Sequence, residues 1–323
     1  MVRILLWIFI PNYFTILIGE VLYGLSKAFY RGVSEGYIYD YLKTKNTTKD
    51  MLNKYGNFNF YMSVASGVSC LLGAWLYKFL GFGLLLSFEL FFNSVAILTL
   101  FFIPQLPSNK RIIPFSKHLT SVLNIIKSTV KDSNLNLHML YSGILFGMTS
   151  IFVWNFQPLM KSFAIPVYLF GSIYFINHIL RAIGSKYAEK VLQKLTLVEV
   201  GEYVWILYLF SFILIACILD MTNRYVCIAV LIFICVVIGI QIIFNVGNLV
   251  RIHHLISSDK RATISSINNM IASLFSWIFL FIFRQISNHV SIRIPIILFL
   301  IIFFFSIIIL NKIKTNNACL KNL

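Results

Sequence analysis

Long apolar segments, separated by short polar ones, run through almost the whole chain. A helix needs about 20 apolar residues to cross the ~30 Å hydrocarbon core of a bilayer, and eight segments are about this long. They lie at residues 58–79, 82–103, 136–160, 166–188, 201–219, 224–250, 261–286 and 293–311. We do not find the alternation over about ten residues that strands of a transmembrane barrel would show. The pattern predicts an all-α, polytopic transmembrane helix bundle.

A ninth apolar segment, residues 13–43, carries charges at membrane depth. Lys27, Arg31 and Glu35 are four residues apart and therefore share one face of the predicted helix, with Glu20 about two turns before Lys27. A charge at the bilayer centre costs roughly 2.5–3.5 kcal/mol, so this face is expected to meet protein or a water-filled cavity. Either it lines a solute pathway, or Arg31 and Glu35 form a neutral pair that only holds helices together.

The first apolar segment, residues 2–10, is too short to span a bilayer, because nine helical residues cover only about 14 Å. Pro11 follows it, and the residue before a proline is disfavoured in a helix. We interpret the segment as the stump of a span, which makes about nine full spans plus a stump. Two alternatives are a single span over residues 4–26 and a signal peptide, although no small-residue cleavage site follows.

Composition places the chain in the membrane. Hydrophobic residues make up 59% of it and charged residues 12%, and the mean hydropathy is +0.84. A formal charge of +16 would suggest nucleic acid in a soluble protein, but the Lys and Arg residues lie mainly between the spans, where membrane topology explains them. The five cysteines show no CxxC or metal-ligand spacing and are interpreted as apolar filler, so no metal or cofactor is expected.

The basic residues are distributed unevenly over the two predicted sides of the membrane. One side holds 18 Lys and Arg residues in the loops and the C-terminal tail, whereas the other holds five: Arg3, Lys78, Lys161, Arg224 and Arg293. Positively charged loops stay in the cytoplasm. We therefore predict a multi-pass protein of the inner (plasma) membrane with a cytoplasmic C-terminus and an external N-terminus.

Two local motifs stand at helix ends: FYRGVSEGYIYDYLK at residues 29–43 and RATISSINNM at 261–270. They resemble the end of the fourth helix and the start of the eleventh in the major facilitator superfamily, in particular in a prokaryotic branch of it. Between them, NFQPLMKSFAIPVYLFGSIY resembles the seventh and eighth helices with their short outer turn. The order of the motifs agrees with the predicted spans.

The resemblance implies a twelve-helix, 6+6 transporter of which this chain holds the last nine helices. Residues 1–103 would be a partial N-terminal bundle, 104–135 a cytoplasmic linker loop, and 136–323 a C-terminal six-helix bundle. About the first three helices would be missing. We therefore expect this chain alone not to complete a transport cycle, and to need either self-association or the missing helices.

The function implied is secondary active transport of a small solute by alternating access, with drug-type export as one form. Lys27 and Arg31 favour an anionic or zwitterionic solute, and protons are a candidate coupling ion through Glu20 or Glu35. The alternative is a non-transporting remnant or a regulatory membrane protein. The expected partners are the lipid bilayer and the solute, without nucleic acid.

Candidate pathway residues follow from the helices that line the cavity in the superfamily. These candidates are Glu20, Lys27, Arg31, Glu35, Asn155, Gln157, Gln241, Asn245 and Asn248. Buried Asn and Gln side chains also bond neighbouring helices, which is the competing interpretation. Asp40 and Arg261 are expected to act at the cytoplasmic edge as gating or packing charges. Glu89, Arg284, His178 and Arg181 are further charges or titratable groups within spans.

Catalysis is not expected. The six histidines are scattered, and the sequence contains no GxSxG, HExxH or phosphate-binding loop. A multi-span transferase would be the remaining enzymatic hypothesis, but the acidic or histidine pair and the large outer domain that it would need are absent from the sequence.

Overall fold

The structure, a computed structural model, describes residues 2–45, 47, 50–104, 127, 129, 132–218, 223–256, 260–289, 302 and 304–313. At residues 28, 29, 31–33, 35, 39, 262 and 286–289 it describes the backbone only.

All regular elements in the described ranges are helices. They are α1 (Val2–Phe9), α2 (Tyr13–Thr44), α3 (Met51–Leu100), α4 (Ser133–Ser162), α5 (Phe170–Leu192), α6 (Leu197–Ile218), α7 (Arg224–His254), α8 (Arg261–His289) and α9 (Phe304–Ile313), with a 3₁₀ turn at Val167–Leu169. Six of the described helices are long and apolar enough to cross a membrane. The prediction of an all-α, multi-pass membrane protein is confirmed.

The N-terminal stump is a separate helix. Helix α2 begins after Asn12, whose side-chain oxygen accepts the Thr15 amide hydrogen at 2.9 Å, while the Thr15 hydroxyl accepts the Asn12 amide hydrogen at 3.1 Å. This reciprocal cap starts a new helix after Pro11. Trp7 of α1 packs against Gly19 of α2. The alternative of one span over residues 4–26 is wrong, because the chain turns between the two helices.

The span predicted at 58–79 lies in α3, and the span predicted at 82–103 lies in α3 up to Leu100; the two are divided at Gly81. Gly81 has φ 71° and ψ 179°, which interrupts the helical geometry. Residues with a Cβ rarely adopt a positive φ of this kind, so glycine suits the position. The predicted break at this residue is confirmed.

The first half of α3 runs antiparallel to α5 at close range. A Cβ on Gly56 would lie 2.5 Å from the carbonyl oxygen of Ser185, and one on Gly171 would lie 2.5 Å from that of Cys70. Small residues let membrane helices approach this closely. This contact joins the N-terminal helices to the rest of the protein.

The main core lies among α4, α5, α6 and α7. Its largest side chains, each less than 2% exposed, are Trp205, Tyr141, Tyr208, Phe156 and Phe244. Helices α5 and α7 cross in contact at Gly184 and Gly239. The core gives α7, the most apolar of the candidate spans, neighbours on several sides.

Several helix ends meet at one end of the molecule. Leu42 of α2, Met51 of α3 and Val250 of α7 form one small buried cluster. A second cluster joins α4, the end of α7 and the start of α8, through Leu135, Met139, Ile252, Ile256 and Ile264. We call this end of the molecule the basic end, because Lys45, Lys54, Arg251 and Lys260 also belong to it.

Candidate functional site

A cavity of about 610 Å³ lies between α2 and α3 on one side and α4, α5, α7 and α8 on the other. Aromatic residues contribute to its wall from α2, α3 and α4. Its polar lining residues are Lys27, Ser34, Asn59, Ser63, Ser66, Ser142, His178, Arg181, Asn245, Asn248, Asn268 and Asn269. Polar groups from six helices thus converge on one space inside a largely apolar protein, which is the usual character of a ligand site.

Positive charge reaches the cavity from both sides. Lys27 belongs to α2, whereas Arg181 belongs to α5 and follows His178 by one helical turn. None of the described lining residues is Asp or Glu. The Lys27 ammonium also lies 4.3 Å from the centre of the Tyr23 ring, and the Arg3 guanidinium lies 4.2 Å from the same centre.

Glu89 of α3 forms an ion pair with Arg3. The ion pair neutralises the charge that α1 brings to the Tyr23 ring.

Amide side chains form the wall opposite α2. Asn245 and Asn248 lie one turn apart on α7, and Asn268 and Asn269 are adjacent on α8. Asn248 is fixed by His138 of α4: its side-chain oxygen lies 2.7 Å from the His138 Nδ1, and its amide nitrogen donates to the His138 carbonyl oxygen at 3.2 Å. Amides held in this way offer donors and acceptors in fixed directions.

Comparison with known families decides the class of protein. The sequence model of the Major Facilitator Superfamily matches residues 2–281. The chain belongs to this superfamily. No curated protein matches the sequence. Superfamily membership, together with the membrane-spanning helices, makes this a transport protein for small solutes in a lipid bilayer; members of the superfamily are transporters and not enzymes.

The cavity of this superfamily member brings together only some of the residues predicted for a pathway. Lys27, Asn245 and Asn248 line it. Glu20 and Gln157 are exposed and do not belong to its described lining. Asn155 is half-buried and also does not belong to the described lining; its amide nitrogen donates to the Ile151 carbonyl oxygen of its own helix at 2.6 Å.

The side chains of Arg31 and Glu35 lie outside the described residues. Their positions in the sequence put them one and two turns after Lys27, on the face of α2 that contributes Lys27 to the cavity. Their place in the pathway stays a prediction.

Gln241 bonds helices together instead of lining the cavity. Its side-chain oxygen accepts the Tyr208 hydroxyl hydrogen at 2.6 Å and also that of Thr149, and its amide nitrogen donates to the Leu145 carbonyl oxygen at 3.1 Å. Gln241 is 1% exposed and Tyr208 is fully buried. The network links α4, α6 and α7 within the core, which agrees with the competing interpretation of Asn and Gln residues in spans.

The two edge charges differ in their surroundings. Arg261 is buried, and its guanidinium donates to two carbonyl oxygens: that of His253 in the last turn of α7, at 3.3 Å, and that of Ile256 just after α7, at 3.0 Å. Asp40 is half-buried near the end of α2. Arg261 therefore has the contacts of a packing charge at the turn between α7 and α8.

Sequence reasoning did not assign His178, Arg181, Asn59, Asn268 or Asn269 to the pathway. His178 and Arg181 were noticeable as polar groups inside a span, spaced by one helical turn, and this was the available signal. Asn268 and Asn269 lie within the motif RATISSINNM, where adjacent amides in a membrane helix give a weaker signal.

Proposed function

We propose that this protein is a secondary active transporter that moves a small solute through the described cavity by alternating access. The observation that carries the proposal is the position of the cavity, between α2 and α3 on one side and α4, α5, α7 and α8 on the other. A site between two groups of helices can be exposed to each side of the membrane in turn when the groups rock against each other.

The cluster of Leu42, Met51 and Val250 is the proposed gate at the basic end. Leu42 and Met51 come from α2 and α3, whereas Val250 comes from α7, so the two groups of helices touch here. The three side chains are apolar and pack against each other without hydrogen bonds. They can therefore separate and pack again without leaving buried hydrogen-bonding groups unpaired. Opening the gate would connect the cavity with the basic end.

In this proposal residues 1–103 and 136–323 are the two moving bodies, and 104–135 is the linker between them. The basic end faces the cytoplasm, because positively charged loops are retained there. The C-terminus is then cytoplasmic and the membrane is the plasma membrane of a prokaryotic cell. Drug-type export and proton coupling, which the resemblance suggested, are the candidate direction and energy source.

Rocking predicts two distances across the gate. Spin labels placed at Lys54 of α3 and His254 of α7, both exposed, should give two resolved distance populations in lipid, one for the closed gate and a longer one for the open gate. The measurement is double electron–electron resonance in a background in which all five native cysteines are replaced.

The control pair is Lys194 and His254, which both belong to the second body and are both exposed. This pair should give one population under every condition. A single, unchanged population for the pair at Lys54 and His254, in lipid as well as in detergent, would refute the rocking motion.

A further inference from the structure

We infer that Phe58 of α3 is a barrier that a solute passes on its way between the cavity and the basic end. This inference rests on the proposed function, since it assigns a further pathway residue to the same transporter. A second cavity, of about 540 Å³, lies between the end of α2, the following turn and the start of α3. Among the residues described as lining either space, only Phe58 lines both.

Residues of α3 at intervals of four connect the two spaces. Asp50, directly before the helix, and Lys54 line the second cavity, whereas Met62 and Ser66 line the first. Phe58 stands in the middle of this row, and residues four apart lie on one helical face. Lys54 and Met62, one turn away on either side, are exposed, whereas Phe58 is half-buried. The row is therefore covered at the Phe58 ring and open beside it.

One face of α2 forms the opposite wall of both spaces. Its lining residues follow each other at intervals of three or four: Lys27, Tyr30 and Ser34 along the first cavity, then Ile38, Tyr41 and Lys45 along the second. This spacing places them on one side of the helix. The two cavities are therefore consecutive parts of one groove between α2 and α3, which Phe58 divides.

The second cavity leads to the basic end. Lys45, Asp50 and Lys54, which line it there, are all exposed. Leu42 lines the second cavity and also belongs to the proposed gate between the two bodies, so opening of the gate moves one wall of this space. Phe58 and both walls of the groove belong to the first body. Rocking therefore does not by itself clear the groove, and passage also requires the Phe58 ring to turn.

The Phe58 ring has room to turn, because a cavity lies on either side of it. The ring stacks on that of Tyr55, with 6.2 Å between the ring centres and 28° between the planes. A side chain moves between staggered positions by rotation about χ1. Such a rotation breaks the stacking with Tyr55 and opens the groove without a change in the backbone.

The barrier can be tested without knowing the natural solute. Ser63 lines the first cavity and is 9% exposed, so Ser63→Cys in the cysteine-free background offers a thiol beyond the barrier. A membrane-impermeant methanethiosulfonate is added to inside-out vesicles, where the basic end faces the reagent. We expect Phe58→Ala to raise the rate of modification at least fivefold and Phe58→Trp, with its larger ring, to lower it at least threefold. Rates that neither variant changes would overturn the inference, and the tryptophan variant alone decides if the alanine variant does not fold.

Three controls separate a barrier from general loosening of the protein. Asp50→Cys places the thiol before the barrier, and its rate should be the same with every residue at position 58. Phe92→Ala removes a ring that is 64% exposed elsewhere on α3 and should leave the rate at Ser63→Cys unchanged. In right-side-out vesicles Phe58→Ala should not raise this rate, because the ring is not on that route. An equal rise from both sides, or a rise with Phe92→Ala, would overturn the inference.

The barrier and the rocking motion can fail separately. If the spin labels at Lys54 and His254 show two distances but Ser63→Cys does not respond to the variants at Phe58, the barrier is refuted and the proposed transport stands. If the variants act as expected while the spin labels show one unchanged distance, the proposed transport fails and Phe58 still divides the groove.

Discussion

Gly184→Leu should prevent the protein from accumulating in a folded form, because no side chain fits at the crossing of α5 and α7. A Cβ on Gly184 would lie 2.0 Å from the carbonyl oxygen of Gly239 and 2.6 Å from a methyl group of Ile242. The backbone oxygen cannot move without displacing α7, which belongs to the main core. Overpacking of a buried site typically costs about 1–3 kcal/mol, and a clash with backbone lies at or beyond the upper end.

The measurement is the yield of monodisperse protein in size-exclusion chromatography after extraction in mild detergent. Gly73→Leu is the matched control, since Gly73 also lies within a helix and a Cβ there meets no atom within 4 Å. Leucine at Gly73 should leave the yield unchanged or raise it, because leucine has the higher helix propensity. A normal yield for Gly184→Leu would mean that the two helices do not cross in contact.

The second large effect is expected for Arg261→Met. Arg261 is the first residue of α8, where the helix dipole disfavours a positive charge, so its position needs a compensating interaction. The structure provides one, since the guanidinium donates to the carbonyl oxygens of His253 and Ile256 at the end of α7. The last carbonyl groups of a helix lack partners within the helix. Losing two bonds to a charged donor should cost about 3 kcal/mol in the free energy of unfolding.

Thermal stability in detergent, followed by the loss of the monodisperse peak after heating, measures this effect. Arg224→Met is the matched control at the opposite end of α7. This arginine is exposed, and its guanidinium contacts its neighbour Tyr225, 3.4 Å from the hydroxyl and 5.2 Å from the ring centre. It should change the free energy of unfolding by no more than about 0.5 kcal/mol. Arg261→Lys should not restore stability, because one ammonium group cannot reproduce the fork of a guanidinium. Equal stability of Arg261→Met and the parent protein would contradict the packing role.

Helix positions were largely predictable because the bilayer imposes a length on every span. The predicted segment 136–160 lies within Ser133–Ser162, and 224–250 lies within Arg224–His254. The start of α7 also had a local signal: Asn223 caps it, with its side-chain oxygen accepting the Tyr225 amide hydrogen at 2.9 Å. Such signals depend on neighbours in sequence and can be read without a structure.

The cavity was less predictable, because it depends on which helices meet. Asn155, Gln241 and Asn245 are all amides within apolar spans, yet only Asn245 lines the cavity. The Gln241 side chain instead forms hydrogen bonds with Thr149 and Tyr208, which are 92 and 33 positions away in sequence. Spacing along one helix shows that a polar face must be covered, but the covering partner is set by packing between helices.

Two-sided access to the cavity tests the central claim most directly and needs no knowledge of the solute. A membrane-impermeant thiol reagent is added to right-side-out and to inside-out membrane vesicles that contain Ser66→Cys in the cysteine-free background. Two control variants should each react from one side of the membrane only: Ser162→Cys, which precedes α5, and Lys194→Cys, which follows it. Both positions are exposed. Because positively charged loops are retained in the cytoplasm, Ser162 is expected outside and Lys194 inside. Ser162→Cys should therefore react only in right-side-out vesicles, and Lys194→Cys only in inside-out vesicles.

Alternating access predicts that Ser66→Cys is modified in both kinds of vesicle, while a reporter dye trapped inside remains unmodified because no continuous pore exists. Modification of Ser66→Cys from one side alone, with both control variants reacting as predicted, would contradict transport through this cavity.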